Sequence, residues 1–400
     1  MGRSRRPRQS GWVLIIVENL PLQRDARVKR QCRSLLKSGF MVAVVCPASE
    51  TTLEADLASV RLWTWRAPQE PTNPLGFMWE YLKALVSITL LTLQAWRTHG
   101  FDVIQACNPP DFLFLIAAPY RLLGITYLFD LHDLSPELYE ARFGRRDVLY
   151  NVLVFIEKCA LRMADRVITT NDSQQRVAVD RGGLAADKVT VVRNGPELSL
   201  VEPRASSPKL RAGRRYLCCW HGIMGVDEGL DLALAAVANL VHERGREDCH
   251  FAFIGEGERR RHLEALASEL DIDDFVSFPG WQPLDVVYDY LATADIGLSP
   301  DPKTPSNEQS TAMKVMEYMA FELPVLAFEL HETFISAGEA GVYVERSDPC
   351  SFAEAIDALL KDEDHRSRLG RIGRERVERE LAWDHQSVEY LATVRSLGRI

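Results

Sequence analysis

No two cysteines of this 400-residue chain stand at C-x-x-C spacing. The eight that occur, at 32, 46, 107, 159, 218, 219, 249 and 350, are scattered. Their spacing excludes a zinc ribbon or disulfide framework and points to reduced core residues in a reducing compartment. Long hydrophobic runs are missing too. The most apolar helical stretch, Ala84–Ala95, is a dozen residues long and interrupted by Ser87, Thr89 and Thr92. It falls short of the roughly 20 residues that span a bilayer, and reads as core, with interfacial membrane contact the lesser option. The run Trp12–Val17 behind the arginine-rich start is too short for a secretory segment, and no small-residue cleavage site follows. A first buried strand behind a disordered basic tail, 1–10, is expected instead. Also absent are G-x-x-x-x-G-K-[ST], H-E-x-x-H and G-x-S-x-G, which disfavours P-loop, zincin and serine-hydrolase chemistry.

What is present is ordinary soluble composition, with length for two or three domains. The net charge of −9 is unevenly placed: residues 1–195 hold 25 Lys+Arg against 19 Asp+Glu, the remainder 22 against 37. A chain acidic overall does not suit nucleic acid. Its basic first half suits anionic lipid head groups or an anionic acceptor.

Strand-like and helix-like patterns alternate from end to end, which predicts an α/β fold of parallel sheets covered by helices on both faces. The first half gives strands at 13–17, 41–46, near 60–64, 103–106, 126–130, 166–170 and 189–192. Helices are expected over 25–38, 79–97, 111–123, 147–163 and 173–180. Residues 197–213, polar with two prolines, read as a linker. A second alternation follows, with strands at 215–220, 250–254, 276–278, 296–299 and 323–328. Its helices fall at 229–244, 259–270, 284–293, 310–319 and 351–360. The organisation predicted is therefore two Rossmann-like domains, 1–196 and 214–380, with a cleft between them and a terminal helix within 381–400. Open parallel sheets bind ligands beyond the carboxyl ends of their strands. That directs attention to the loops 18–24, 107–111, 131–137, 193–196, 221–228, 255–258 and 300–311.

The segment Ser310–Phe328 stands out. Ser310 or Thr311 is expected to cap a helix, and Ala312, Val315, Met316, Met319 and Ala320 form its apolar stripe. Lys314 and Glu317 share another face. A cation near the positive end of a helix gains nothing from the macrodipole, so Lys314 calls for an anion. A nucleotide diphosphate would supply one, with Glu317 accepting from ribose hydroxyls; a solvated Lys–Glu pair is the plain alternative. The stretch Asp130-Leu-His132-Asp133-Leu-Ser-Pro-Glu137-Leu-Tyr139 leaves a strand into a Pro-interrupted turn. His132 is read there as catalytic or substrate-orienting, against a structural histidine held by Asp130 or Asp133, or a metal ligand. Gly255 and Gly257 follow a strand, and Gly222 with Gly225 forms a similar loop. Both admit close approach of a base or phosphate, and both are compatible with plain tight turns. Arg193 is placed to reach the same phosphates.

These residues together resemble glycosyltransferase family 4, the retaining nucleotide-sugar enzymes of GT-B fold. The resemblance runs through Asn108–Asp111 (NPPD), Asp130–Tyr139, Ala164–Asn171 (ADRVITTN), Val191–Leu198 (VVRNGPEL), Ala294–Pro302 (ADIGLSPDP) and Ser310–Phe328. It is nearest to the subgroup that builds bacterial surface or exported polysaccharide. The resemblance implies an acceptor-binding N-terminal domain, a donor-binding C-terminal domain and a last helix crossing back to the first. It implies that Glu317 binds ribose, and that Lys314 and Arg193 neutralise the diphosphate. Ser310, Thr311 and Met313 would approach the donor with Gly222, Gly255 and Gly257, while His132 stands beside the transferred sugar. Asp111, Asp133 and Glu137 fall on the acceptor side. The implied reaction moves a sugar to a hydroxyl of a glycan or lipid-linked glycan, needs no cofactor or metal, and is cytoplasmic, with peripheral contact at the inner face of the membrane. A nucleotide-sugar epimerase and a non-catalytic nucleotide-sugar-binding protein are the alternatives. Two positions depart from the family pattern. Gln309 stands where the first glutamate of an E-x7-E pair is usual, with Glu308 one residue out of register. Glu228-Gly229 stands where Lys-Gly is usual.

Overall fold

The computed structural model describes residues 11–66, 74–201 and 204–398; the basic tail expected at 1–10 lies outside them. Two compact units emerge, Met1–Arg193 with Gln386–Ile400, and Asn194–His385. The first follows the order β1 (Trp12–Ile16), α1 (Ala26–Lys37), β2 (Met41–Pro47), β3 (Arg61–Trp65), α2 (Pro74–Thr98), β4 (Val103–Cys107), α3 (Phe114–Arg121) and β5 (Thr126–Leu131). It continues through α4 (Ser135–Phe143), α5 (Val148–Met163), β6 (Arg166–Thr169), α6 (Asp172–Asp180) and β7 (Val189–Val191). All pairings are parallel, in the order β3-β2-β1-β4-β5-β6-β7. The strands are runs of apolar, often β-branched residues because both faces are covered. Helix starts are set by short polar caps. Asp25 accepts from Val28 N, Asp147 from Leu149 N and Tyr150 N, and Asn171 from Gln174 N.

The second unit runs β8 (Tyr216–Ile223), α7 (Leu230–Ala238), β9 (Cys249–Glu256), α8 (Arg260–Glu269), β10 (Val276–Gly280), α9 (Leu284–Thr293), β11 (Ile296–Ser299), α10 (Met313–Ala320) and β12 (Val325–Phe328). It closes with α11 (His331–Ala337), β13 (Gly341–Val344), α12 (Pro349–Lys361) and α13 (Glu363–Arg376). Its sheet is parallel, ordered β10-β9-β8-β11-β12-β13. Alternation along β8 divides two cores: Cys218 and Trp220 pack with Phe251 and Phe328 on one side, Leu217 and Cys219 with Met316 and Val325 on the other. Each such large apolar side chain contributes about 1.5–3 kcal/mol of burial. A last helix, α14 (Trp383–Leu397), carries Tyr390 into the first unit, where its hydroxyl donates to Gln105 Oε1 at 2.8 Å.

Several expectations need correction. The Pro-interrupted turn after β5 is the helix α4, since Pro136 occupies a first-turn position that proline suits. The described part of 197–213 is no free linker. Arg204 bonds Asp289 Oδ1 at 2.7 Å and Arg211 bonds Thr293 O at 2.7 Å, fastening it to the second unit. Elements α11, β13 and α13 add to the sequence reading. In α13, side chains at Gly370 and Gly373 would collide with Glu322 O and Met319, so glycine there permits close packing on the α10 end. Of the cysteines, Cys350 is exposed and Cys159 half-buried, and the other six are buried; all eight are free.

Candidate functional site

In the second unit the strand order reverses direction between β8 and β11, and such a switch point opens a crevice at the strands' carboxyl ends. Four segments converge there. His221 comes from the end of β8, Glu228 from the turn after it, Asp301 from two residues beyond β11, and Lys314 and Glu317 from α10. The Lys314 ammonium is buried, 2.5 Å from Glu228 Oε2 and 3.0 Å from Asp301 Oδ1, with its Nζ 5.1 Å from the centroid of the buried Trp220 ring. Burial disfavours the charged lysine, but Asp301 and Glu228 outweigh it and raise its pKa. Asp301 is held in turn by Ser299, whose hydroxyl donates to Oδ2 at 2.5 Å.

Glu317 faces elsewhere: its Oε2 lies 3.2 Å from His221 Nε2. Burial, and then the charge of Lys314, lower the His221 pKa to about 3, so the ring is neutral across the physiological range. Lys314 and Glu317 thus each take a partner from another strand end, not each other. Neither Ser310 nor Thr311 caps α10. The N-cap is Ala312, which makes no side-chain cap bond. Ser310 N instead donates to Asn307 O at 3.3 Å, closing a short turn, and both Ser310 and Thr311 are half-exposed just before the helix. Met313 is the first helical residue.

The glycines of the two strand-end loops have a local explanation. Gly222 and Gly255 are register partners in β8 and β9, with φ of 155° and 148°. A side chain on Gly255 would strike Gly222 O, one on Gly257 would strike the Met224 backbone, and one on Gly222 would press on the Trp220 ring. The close approach they permit is first of all between the strands themselves. Glu308 accepts from His331 N at the start of α11 at 3.3 Å and pairs with Lys303 at 3.1 Å; Gln309 Nε2 donates to Pro305 O at 3.2 Å.

In the first unit the matching strand ends surround Asp130, which is wholly buried. Arg27 reaches it through Nη2 at 2.8 Å and Nε at 3.2 Å, Gln31 Nε2 at 2.6 Å, Gln105 Nε2 at 3.2 Å and His132 Nε2 at 3.0 Å. Burial opposes ionisation, yet Arg27 and His132 hold this carboxyl well below the usual carboxylate range. His132 thus stands at ion-pair distance from Asp130. Its backbone is fixed by Asn108 Oδ1, which accepts from His132 N at 2.6 Å, and by Gln174 Nε2 on its carbonyl at 2.7 Å. Cys107, Asp130 and His132 form the one group of potential cation ligands among the described residues. The donors already on Asp130, and a thiol that burial holds protonated, make it a hydrogen-bond network instead.

Asp111 is buried beside it, accepting from Asn108 Nδ2 at 2.8 Å. Burial lifts its pKa to about 6 against bonds from Ser135 and Asn108. Burial likewise raises Asp133, countered by His132. Glu137 is buried in a pair with Arg181 at 2.6 Å, which also grips Glu157; its carboxylate is spent on structure. Arg193 belongs to the first unit and pairs with Asp172.

Asp301, Trp220, Arg27, Gln31 and Gln105 were missed from sequence. The available signals were Asp301 in a strand-end loop already singled out, and Arg27 with Gln31 at i, i+4 on the inward face of an otherwise amphipathic helix.

A family model described as Glycosyl transferase 4-like domain matches residues 25–195, and one described as Glycosyl transferases group 1 matches residues 215–362. The D-inositol 3-phosphate glycosyltransferase of Thermomonospora curvata is 30% identical over 240 residues, 55% of this chain and 54% of that one. The chain spans about half the length of the curated relatives it matches. Among solved structures, sucrose-phosphate synthase from Thermosynechococcus elongatus aligns with a TM-score of 0.80 at 19% identity, over 97% of this chain and 99% of that one. Anabaena HepE, solved in complex with UDP and glucose, aligns with a TM-score of 0.74 at 16% identity, over 96% and 100%. At such identities the solved structures speak to the fold, and that fold is GT-B.

Proposed function

The chain belongs to the family-4-like, group 1 glycosyl transferases, and on that premise we propose that it moves a sugar from a nucleotide diphosphate to a hydroxyl acceptor with retention of configuration. The observation that carries the reading is the cluster of Lys314, Glu228, Asp301, His221 and Glu317 at the switch point of the second sheet. In this reading Glu317 accepts from the ribose, and the donor's diphosphate takes the place of Glu228 on Lys314. Glu228 is the partner suited to leave, being 27% exposed against 11% for Asp301. Charge on the leaving diphosphate would then be stabilised by a preorganised cation, and the departing phosphate would take the acceptor's proton. No metal is required. The glycine-bearing ends at Gly222, Gly255 and Gly257 and the Ser310–Met313 turn complete the donor side. His132, Asp111 and Asp133 lie on the acceptor side.

We place the acceptor among glycans or lipid-linked glycans of surface or exported polysaccharide, met at the cytoplasmic face of a membrane. The basic first half and the buried carboxylates at the first sheet's edge support this. Thermal shift against UDP-, GDP-, dTDP- and ADP-glucose is the first test, because a donor stabilises the fold it binds. A shift with one of them, abolished by Glu317→Ala, is expected. No shift with any sugar nucleotide, or unchanged binding by Glu317→Ala, overturns the assignment. Product analysis with and without acceptor separates transfer from epimerisation.

A further inference from the structure

Helices α2, α3 and α5 lie side by side over one face of the first sheet. Ala84 and Ile88, Ile116 and Ala117, and Ala160 and Leu161 turn their inner sides into a single core. The opposite sides of these helices should be polar if they met only water. They are not. On α2, Leu82, Val86 and Leu90 recur at i, i+4, i+8 with exposures of 49, 50 and 55%. On α5, Val148, Val152 and Phe155 recur at i, i+4, i+7 with exposures of 80, 43 and 66%. Leu122, at the end of α3, is 89% exposed. Scattered exposed leucines need no explanation, but aligned stripes on adjoining helices of one layer do.

Exposed charge on these three helices and on α4 has one sign, whereas α6, whose Ala178 packs in the same core, exposes Asp172 and Asp180 beside Arg176. From Leu82 to Arg97, and through α3, α4 and α5, the exposed charged residues are Lys83, Arg97, Arg142, Arg145, Arg146 and Arg162, and no carboxylate is exposed. The half-buried Asp147 and Glu140 are paired with Arg145 at 3.0 Å and Arg146 at 2.7 Å. We infer that this outer face docks on the surface of an anionic lipid bilayer, with the leucine, valine and phenylalanine side chains entering the head-group boundary and the cations at phosphate level. No helix among the described residues is long and apolar enough to cross a membrane, so the contact is interfacial. A second copy of the chain fits less well. An isologous interface would set this cationic layer against itself, and like charges across an interface are costly.

The docking stands apart from the transfer reaction, and its test needs neither donor nor acceptor. Full-length protein is floated with vesicles of phosphatidylcholine alone, or with about one third phosphatidylglycerol. Binding is expected to the anionic vesicles only, weakening as salt is raised to about 0.5 M. Val86→Glu with Leu90→Glu, and Val152→Glu with Phe155→Glu, should each lower the partition coefficient by roughly tenfold or more. Val388→Glu, at an exposed apolar site on α14, should leave it unchanged. Because these positions are exposed, melting temperatures should stay put, and the wild-type comparison of the two vesicle types decides the matter if a variant misfolds. Wild-type protein that ignores anionic vesicles, or double variants that partition like wild type, overturns the proposal. So does a dimer seen by light scattering that the same variants turn into monomers, which would give the face to a second copy.

Discussion

The two sheets share a topology and place a buried charge at the same edge, but with opposite electrostatics. In the first unit an anion, Asp130, is enclosed by donors from Arg27, Gln31, Gln105 and His132. In the second a cation, Lys314, is enclosed by the carboxylates of Glu228 and Asp301. Burying a charge is tolerable only when its partners are in place, and both sites obey this. They differ in closure. Asp130 is wholly inaccessible, whereas Glu228 and Glu317 keep 27% and 14% of their side chains open to solvent. A closed network holds a fold together; one with an exposed partner can exchange that partner for a ligand.

The sharpest way to break the comparison is Asp130→Ala. It strands the Arg27 guanidinium in the core and should cost about 3–5 kcal/mol in urea unfolding; a loss below about 1 kcal/mol would mean the network does not hold the unit together. Lys314→Met comes next. It leaves two carboxylates facing each other, and because Glu228 is partly solvated the cost should be nearer 2 kcal/mol. Adding Glu228→Gln should restore part of it, and Glu228→Gln alone should tighten sugar-nucleotide binding in calorimetry. If that single variant binds more weakly, the exchange of partners on Lys314 is wrong. Glu317→Ala should leave stability within about 0.5 kcal/mol while raising the donor dissociation constant roughly tenfold or more through lost ribose bonds.

The smallest effect concerns pH. His221 takes up a proton only near pH 3 when folded, against 6.5 as its ordinary value. Between those values the unfolded chain holds the extra proton. Its contribution to stability is therefore complete above pH 6.5 and declines as pH falls toward 3. His221→Asn should flatten that part of the stability profile. An unchanged slope in the variant would remove His221 as its source.

Much of this was legible in the sequence, and particular residues show where legibility stopped. The strand 296–299 coincides with β11 to the residue, because local periodicity specifies it. Lys314 was recognised as a cation in need of an anion, and Glu317 as its companion. Their actual partners were not visible. Glu228 lies 86 positions from Lys314, and Arg27 lies 103 from Asp130. Such pairs are chosen by which strand ends the topology brings together, which no window of neighbouring residues encodes. The expected cap at Ser310 or Thr311 failed for a related reason. The turn through Asn307–Gln309 leads into the helix with Ala312 at its threshold, so tertiary course overrode a correct local preference.

One contact bears on how the second site can diverge among descendants. The Tyr318 ring of α10 lies directly on Gly297 of β11, leaving no room for a side chain there, and its hydroxyl donates to Leu298 O at 3.0 Å. Helix and strand are thus keyed together by a tyrosine on one side and a glycine on the other. A side chain at Gly297 would meet that ring and press on the helix that carries Lys314. A lineage altering this site has little latitude in that pair. Residues 302–312, which join β11 to α10, take no part in that seam.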